Sequence, residues 1–153
     1  MLKSEARKFF REKRLALSAS EKTRLDDLLL IQLQTLQLPF ITFLLSYWPL
    51  EENKEPNTHL FTDYLEFMNP DLIVCYPKTD FPTQEMKAIQ ANDDTRFRKN
   101  QYNIYEPEDG DSVNPSGMDL IFVPCLHLTK KGIVLDMGKD FMIAIYINAV
   151  RIA

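Results

Sequence analysis

Lys3, Arg7, Arg11 and Arg14 follow one another at spacings of four, four and three residues near the start of the chain. On a helix that spacing puts four cations on one stripe. Guanidinium forks and a lysine point charge suit the oxygens of a polyphosphate, although a basic stripe is often no more than a solvated face. A second candidate lies near the other end, where the apolar Asp119-Leu-Ile-Phe-Val-Pro124 leads into Lys131-Gly-Ile-Val-Leu-Asp-Met-Gly-Lys-Asp-Phe-Met142. A buried strand followed by a loop of glycine and lysine is where α/β proteins cradle phosphates, because exposed backbone N–H groups neutralise the oxyanions. Gly132, Gly138 and Lys139 fit such a loop, whereas Asp136 and Asp140 inside it would repel the ligand.

Between these ends stand two groups suited to a polar, flat ligand. Glu55 and Thr58 occupy a turn into a helix, where a carboxylate meets a ligand or favours the helix N-terminus. Tyr102-Asn-Ile-Tyr-Glu106-Pro107 joins aromatics to a carboxylate, and aromatics stack on a heterocycle or pack. No nucleophile–base triad, zinc spacing or carboxylate pair stands out. His59 and His127 are isolated, which suits surface or capping roles. Cys75 and Cys125 have no metal-like spacing, so reduced thiols are expected.

The elements that must carry these groups alternate. Residues 3 to 17 read as a basic helix, and Ser18-Ala-Ser-Glu21 is a capping box opening a second one. There Leu25, Leu28, Leu29, Leu33 and Leu36 form one apolar face before Pro39. Phe40-Ile-Thr-Phe-Leu-Leu-Ser-Tyr47 is apolar on both faces, as the central strand of a parallel sheet would be. Asn57 caps a helix from Thr58 to about Phe67, which Asn69-Pro70 ends before a second buried strand, Asp71 to Tyr76. Pro77-Lys78-Thr79 reads as a sharp exit from that strand, and 83 to 91 as a short helix. Residues 95 to 105 read as two weaker extended pieces, 106 to 117 as a polar loop and 119 to 124 as a third buried strand. This order predicts a single-domain α/β fold, a mostly parallel sheet flanked by helices on both sides, with ligands at the carboxyl ends of the strands.

At 153 residues, with 45% hydrophobic and 26% charged side chains, the chain has the make-up of one globular domain. A net charge of -4 argues against a nucleic-acid-binding surface. No apolar run approaches the roughly 18 residues of a membrane span, and no signal-like segment opens the chain, so a cytoplasmic protein without membrane partners is expected.

The ordered set of Lys3-x-x-x-Arg7, Arg14-Leu-Ala-Leu-Ser18, Glu55-Pro-Asn-Thr58, Tyr76-Pro-Lys78, Asn103-Ile-Tyr-Glu-Pro107 and Asp119-Leu-Ile-Phe-Val-Pro124 resembles the 5-formyltetrahydrofolate cyclo-ligase family, also called methenyltetrahydrofolate synthetase. The resemblance covers residues 1 to 124 and implies the fold of that family, akin to NagB, RpiA and CoA transferases. It also implies an ATP- and Mg2+-dependent ligase that converts 5-formyltetrahydrofolate to 5,10-methenyltetrahydrofolate. By this resemblance Lys3 and Arg7 contact ATP phosphates with Arg14 in support, Gly138 and Lys139 hold loop positions, Glu55 holds the folate, and Tyr47 and Tyr102 pack against its ring. The partners implied are a reduced folate and a nucleotide, with the protein a monomer.

In the family the last strand runs into a nucleotide-binding loop of the form A-F-D-x-x-G-x-R-x-G-x-G-x-G-[FY]-Y-D. Here Val134 replaces the arginine, Asp136 and Asp140 replace glycines, and Met142-Ile143 replaces Tyr-Asp. A shifted reading frame reconciles the two. If the last base of each codon is read with the first two of the next, Leu126 to Thr129 can yield A-F-D, two lysines and a glycine follow, and Gly132 to Ile145 can yield Y-R-V-G-Y-G-K-G-F-Y-D-R-Y. Met137 and Met142 have one codon each, and they force a glycine and an aspartate where the family has them. Residues 1 to 124 are therefore expected to be the family-like body. Residues 125 to 153 are expected to be an atypical tail, truncated and out of frame, with an apolar and β-prone end that is an aggregation hazard.

Such a chain is expected to have weak or absent ligase activity. The alternatives are a non-catalytic folate- or nucleotide-binding module, or a non-functional product of a disrupted frame. The coding DNA around Pro124 separates them: an overlapping frame that encodes the glycine-rich loop is expected, and its absence would refute the shift.

Overall fold

The computed structural model describes residues 2–124 and 126, and the backbone of 145–147. Helix α1 spans Lys3–Leu15 and α2 spans Ala19–Thr35. The capping box forms as the sequence predicts: Glu21 N donates to Ser18 Oγ at 3.2 Å and Ser18 N donates to Glu21 Oε2 at 2.8 Å. The leucine face of α2 behaves differently from expectation. Leu33 is buried at 3% exposure, whereas Leu25, Leu28, Leu29 and Leu36 keep 41 to 43%. The first three line an open groove with Phe10 and Leu17 of the α1 side and with Leu126.

Strand β1, Phe43–Leu45, lies between β2, Ile73–Asp80, and β7, Leu120–Phe122, and is parallel to both. Helix α3, Thr58–Met68, connects β1 to β2, with Asn57 accepting from His59 N at 3.2 Å as its cap. Around this parallel centre the sheet grows antiparallel edges: β3, Glu85–Ala91, and then β6, Ser112–Val113, beside β2, and β8, Ile145–Ile147, beside β7. The order β6-β3-β2-β1-β7-β8 is a mixed α/β sheet. A separate hairpin pairs β4, Phe97–Lys99, with β5, Tyr105–Pro107.

The two-residue period of the strands divides the core. Leu44, Val74, Tyr76, Leu120 and Phe122 join Leu33 of α2 and Phe61 and Leu65 of α3 on one face. Leu45, Cys75, Ala88, Phe43, Ile73 and Ile121 gather on the other, where no helix residue joins them among the described residues. Burial pushes the Cys75 thiol up to about 11, leaving it protonated and unreactive at neutral pH.

Two local expectations are corrected. Pro77 does not end β2, which runs on to Asp80, and residues 85 to 91 are a strand rather than a helix. Past Cys75 the strand loses β1 as a neighbour and keeps only β3, so a proline falls on an edge where the ladder tolerates it. The turn between the two strands is closed by Gln84 at φ 58°. In the tail, Ile145–Ile147 pairs with β7, because a tripeptide of two β-branched residues and an aromatic satisfies an open strand edge. Gly110 has φ 141° and lies so near β3 that a Cβ would stand 2.8 Å from Gln90 O, so only glycine fits.

Asp119 sets the parallel register. Its Oδ2 accepts from Thr42 N at 2.9 Å and Phe43 N at 3.0 Å, and its own N–H donates to Phe43 O at 2.9 Å. Replacing the carboxylate by a methyl strands two partly buried N–H donors at about 1–3 kcal/mol each. Asp119→Ala is therefore expected to lower unfolding free energy by about 2 kcal/mol or more in urea titrations, with Asp119→Asn intermediate because it keeps one acceptor. Loss below about 0.5 kcal/mol would show that the register is set elsewhere.

Candidate active site at the carboxyl ends of the strands

β1 runs out through Ser46, Tyr47 and Trp48, and the connection to α3 folds back beneath its end. Ser46 N donates to Cys75 O at 2.8 Å, extending the parallel ladder by one step. The Thr58 hydroxyl, fully buried, donates to Tyr47 O at 2.8 Å. Leu50 N donates to Glu55 Oε2 at 2.7 Å, so the carboxylate is held inside the turn by a charge-assisted bond. Lys54, at φ 50°, closes the 3₁₀ turn Glu51–Asn53 and donates through Nζ to Leu15 O at 2.6 Å and to Leu17 O. An ammonium on the last carbonyls of α1 also complements that helix's dipole.

These bonds shape one crevice. Tyr47, Trp48, Leu50 and Glu55 supply one side, Ile104 and Tyr105 of the β4–β5 hairpin another, and Pro77 and Pro124 mark the ends of β2 and β7. Trp48 is the hub of its wall, with ring centroids 4.6 Å from His59, 4.7 Å from Phe97, 5.3 Å from Tyr105 and 6.3 Å from Tyr76. Such edge and tilted contacts stabilise the cluster beyond area burial alone. Burial, aided by Glu66 and Asp63, pushes the Tyr76 phenol up to about 12, so that ring stays neutral. The slot is aromatic with one carboxylate, but its free volume is only about 30 Å³, so a flat heterocycle would enter only if the walls open.

The proposed site residues separate into three places. Tyr47 and Glu55 meet in the crevice. Tyr102 does not join them: it sits on the hairpin tip, 49% exposed, against Phe81 at 5.4 Å. Lys3, Arg7 and Arg14 lie along α1, Lys3 exposed and the two arginines half-buried. Arg14 lines the α1–α2 groove with Lys13, Lys22 and Lys54. Gly138 and Lys139 lie outside the described residues, as does His127. Trp48, Ile104 and Tyr105 were not foreseen as site residues. Trp48 follows directly on the strand end, and Tyr105 belongs to the Asn103-Ile-Tyr-Glu-Pro107 motif.

Each of four motifs separated along the chain gives the crevice a lining residue: Glu55-Pro-Asn-Thr58 gives Glu55, Tyr76-Pro-Lys78 gives Pro77, Asn103 to Pro107 gives Ile104 and Tyr105, and Asp119 to Pro124 gives Pro124. Most of the chain is similar to solved structures. A 5,10-methenyltetrahydrofolate synthetase from Aquifex aeolicus superposes with a TM-score of 0.75 at 28% identity, covering 92% of this chain and 70% of that one. The likeness bears out the resemblance to 5,10-methenyltetrahydrofolate synthetases that the motifs carry. A second member, from Mycoplasma pneumoniae, shares the fold with a TM-score of 0.67 at 23% identity over 91% of this chain and 73% of that one. No family profile and no curated sequence matches this chain. Among the described residues no helix is long and apolar enough to cross a membrane.

His59 is a correction to the surface role expected for it. It lies half-buried at the start of α3 against Trp48, and burial lowers its pKa below 6.5 despite Asp63 and Glu51. The unfolded chain therefore binds this proton more readily than the folded one. Its contribution to stability is complete above the unfolded value near 6.5 and is lost as pH falls through that value toward the folded one. Melting temperatures are expected to drop between pH 7 and pH 5 more steeply in wild type than in His59→Gln, and parallel profiles would contradict this assignment.

Proposed function

We propose that the crevice binds 5-formyltetrahydrofolate and that the body of this chain is built for its ATP-dependent closure to 5,10-methenyltetrahydrofolate, with release of ADP and phosphate. The observation that carries this reading is the convergence of Tyr47, Trp48, Glu55 and Tyr105 at the strand ends of a fold shared with methenyltetrahydrofolate synthetases. In this chemistry the formyl oxygen attacks the γ-phosphorus of ATP and ADP leaves. The neighbouring folate nitrogen then adds to the activated carbon, and loss of the phosphate leaves the methenyl bridge. Side chains need no covalent part in such a sequence; they position the reactants and neutralise charge.

Glu55, held by Leu50 N, would accept hydrogen bonds from the pterin N–H groups, and Tyr47 would pack beside its ring. Tyr102 would meet only the outer part of the folate. Lys3, Arg7 and Arg14 would neutralise the ATP phosphates along α1. The described residues hold no cluster of three or more carboxylate, histidine or cysteine side chains around a metal. Mg2+ would come with the nucleotide, keeping waters and bound largely through its phosphates, where it would offset developing charge.

Residues 125 to 153 differ from the nucleotide loop of the family, which favours a second reading in which the folate is bound without turnover. We expect this chain to bind 5-formyltetrahydrofolate in calorimetry, with weak or absent formation of methenyltetrahydrofolate followed by its absorbance. A version carrying the shifted-frame loop in place of residues 125 to 145, and the sequence that frame encodes beyond it, should turn over. Glu55→Ala should weaken folate binding at least about tenfold, equivalent to about 1.4 kcal/mol. Strong turnover by the unaltered chain would overturn the account of the tail, and no folate binding by either version would overturn the folate reading.

A further inference from the structure

Glu106 is a carboxylate at 8% exposure on β5, and no lysine, arginine or histidine pairs with it among the described residues. Burial of a charge without a counter-ion is costly, so its hydrogen bonds must matter. Oε1 accepts from the side-chain amide of Asn100 and Oε2 from Thr79 N at 3.3 Å. The other end of the Asn100 amide accepts twice, from Tyr102 N at 2.8 Å and from Ile104 N at 3.2 Å. The turn is completed by Asn100 N donating to Ile104 O at 2.9 Å and Asn103 N to Asn100 O at 3.0 Å, with Asn103 at φ 60°.

The chemistry of this chain of bonds is directional. An asparagine amide has one donating and one accepting end, and a flipped Asn100 would aim its NH2 at two backbone N–H groups. An ionised carboxylate accepts only, so Glu106 draws the NH2 to itself and commits the carbonyl to Tyr102 and Ile104. A neutral amide at position 106 could answer either end of Asn100, leaving Tyr102 N and Ile104 N alone to set its orientation. Ile104 and Tyr105 follow directly and form one wall of the crevice, Tyr105 against Trp48 at 5.3 Å. Thr79 ties the same carboxylate to β2, so the hairpin is fixed to the sheet as well as to itself.

We propose that Glu106 is a positioning residue of the crevice, acting through Asn100 to fix the 100–104 turn and so the wall formed by Ile104 and Tyr105. That the ligand of this wall is a reduced folate rests on the function proposed above; the fixing of the turn does not. Trp48 is the sole tryptophan of the chain and lines the crevice, so its fluorescence reports occupancy.

The test compares wild type with Glu106→Ala, Glu106→Gln, Asn100→Ala and the Glu106→Ala/Asn100→Ala double variant. Amide hydrogen exchange at Tyr102 and Ile104 should rise about tenfold in Glu106→Ala while Leu44 in β1 stays protected, which marks local rather than global opening. The Kd for 5-formyltetrahydrofolate from Trp48 fluorescence should rise about tenfold, and that for ATP should change less than about twofold. Glu106→Gln should fall between, and the double variant should be no worse than either single one, because the two residues act as one unit. Unchanged exchange at Tyr102 and Ile104 in Glu106→Ala would overturn the proposal. So would raised exchange with unaltered folate affinity in a protein whose wild type binds folate. If wild type binds no folate, the functional reading fails and the exchange result alone decides the role of Glu106.

Discussion

β1 is three residues long, yet side chains from distant parts of the chain hold it at both ends. Asp119 grips Thr42 and Phe43 at its start, Asn69 donates through Nδ2 to Ile41 O at 2.8 Å just before it, and Thr58 takes the carbonyl of Tyr47 just after it. With parallel neighbours on either side, β1 has no free edge along which to slip. A slip of one residue would exchange Leu44 and Leu45 between faces and carry Tyr47 and Trp48 out of the crevice. The site therefore depends on the register of a short strand enforced by polar bonds rather than by its own length.

The same economy runs through the connection from β1 to α3. Asp26 of α2, buried at 6% exposure, takes the ammonium of Lys22 and accepts from Asn57 N at 3.1 Å, so one carboxylate joins α2 to the cap of α3. Lys54 ties the same connection to the end of α1, and Glu55 closes it on Leu50. Three consecutive polar anchors thus place the basic helix next to the segment that carries the crevice carboxylate. An exposed pair of this kind would contribute little, but buried or charge-assisted ones are costly to break.

Local chemistry made much of this legible before any coordinates. Ser18-x-x-Glu21 and Asn57 announce helix starts by the bonds they make, and the runs around Leu44, Val74 and Leu120 announce strands buried on both faces. Glu85-Met-Lys-Ala-Ile-Gln-Ala91 was opaque for a physical reason: its residues are good helix formers, and pairing with β2 along seven residues overrides that weak preference. Glu55 and Tyr47 were readable because they flank the end of a strand. Trp48 and Tyr105 meet only after the β4–β5 hairpin folds back across the sheet, and no spacing encodes that contact. The same fold leaves Tyr102 on the hairpin tip, three residues from Tyr105 and on the other side of the turn held by Asn100.

The folate and nucleotide halves of the proposed reaction therefore rest on different stretches of chain. Every described lining residue of the crevice comes from residues 47 to 124, where Glu55, Thr58 and Trp48 make bonds or ring contacts within that span while Lys54 and Asn57 reach back to α1 and α2. A phosphate site at the end of β7 would instead need the backbone that follows Pro124, where Asp136 and Asp140 occur in place of glycines. Two carboxylates facing a polyphosphate would oppose the attraction proposed for Lys3, Arg7 and Arg14 of α1, and aspartate lacks the glycine freedom a close backbone approach requires. A change confined to this stretch leaves the register of β1 and the aromatic wall untouched. Loss of turnover and retention of folate binding are consequently compatible in one molecule, because the described anchors that make the crevice lie upstream of Pro124.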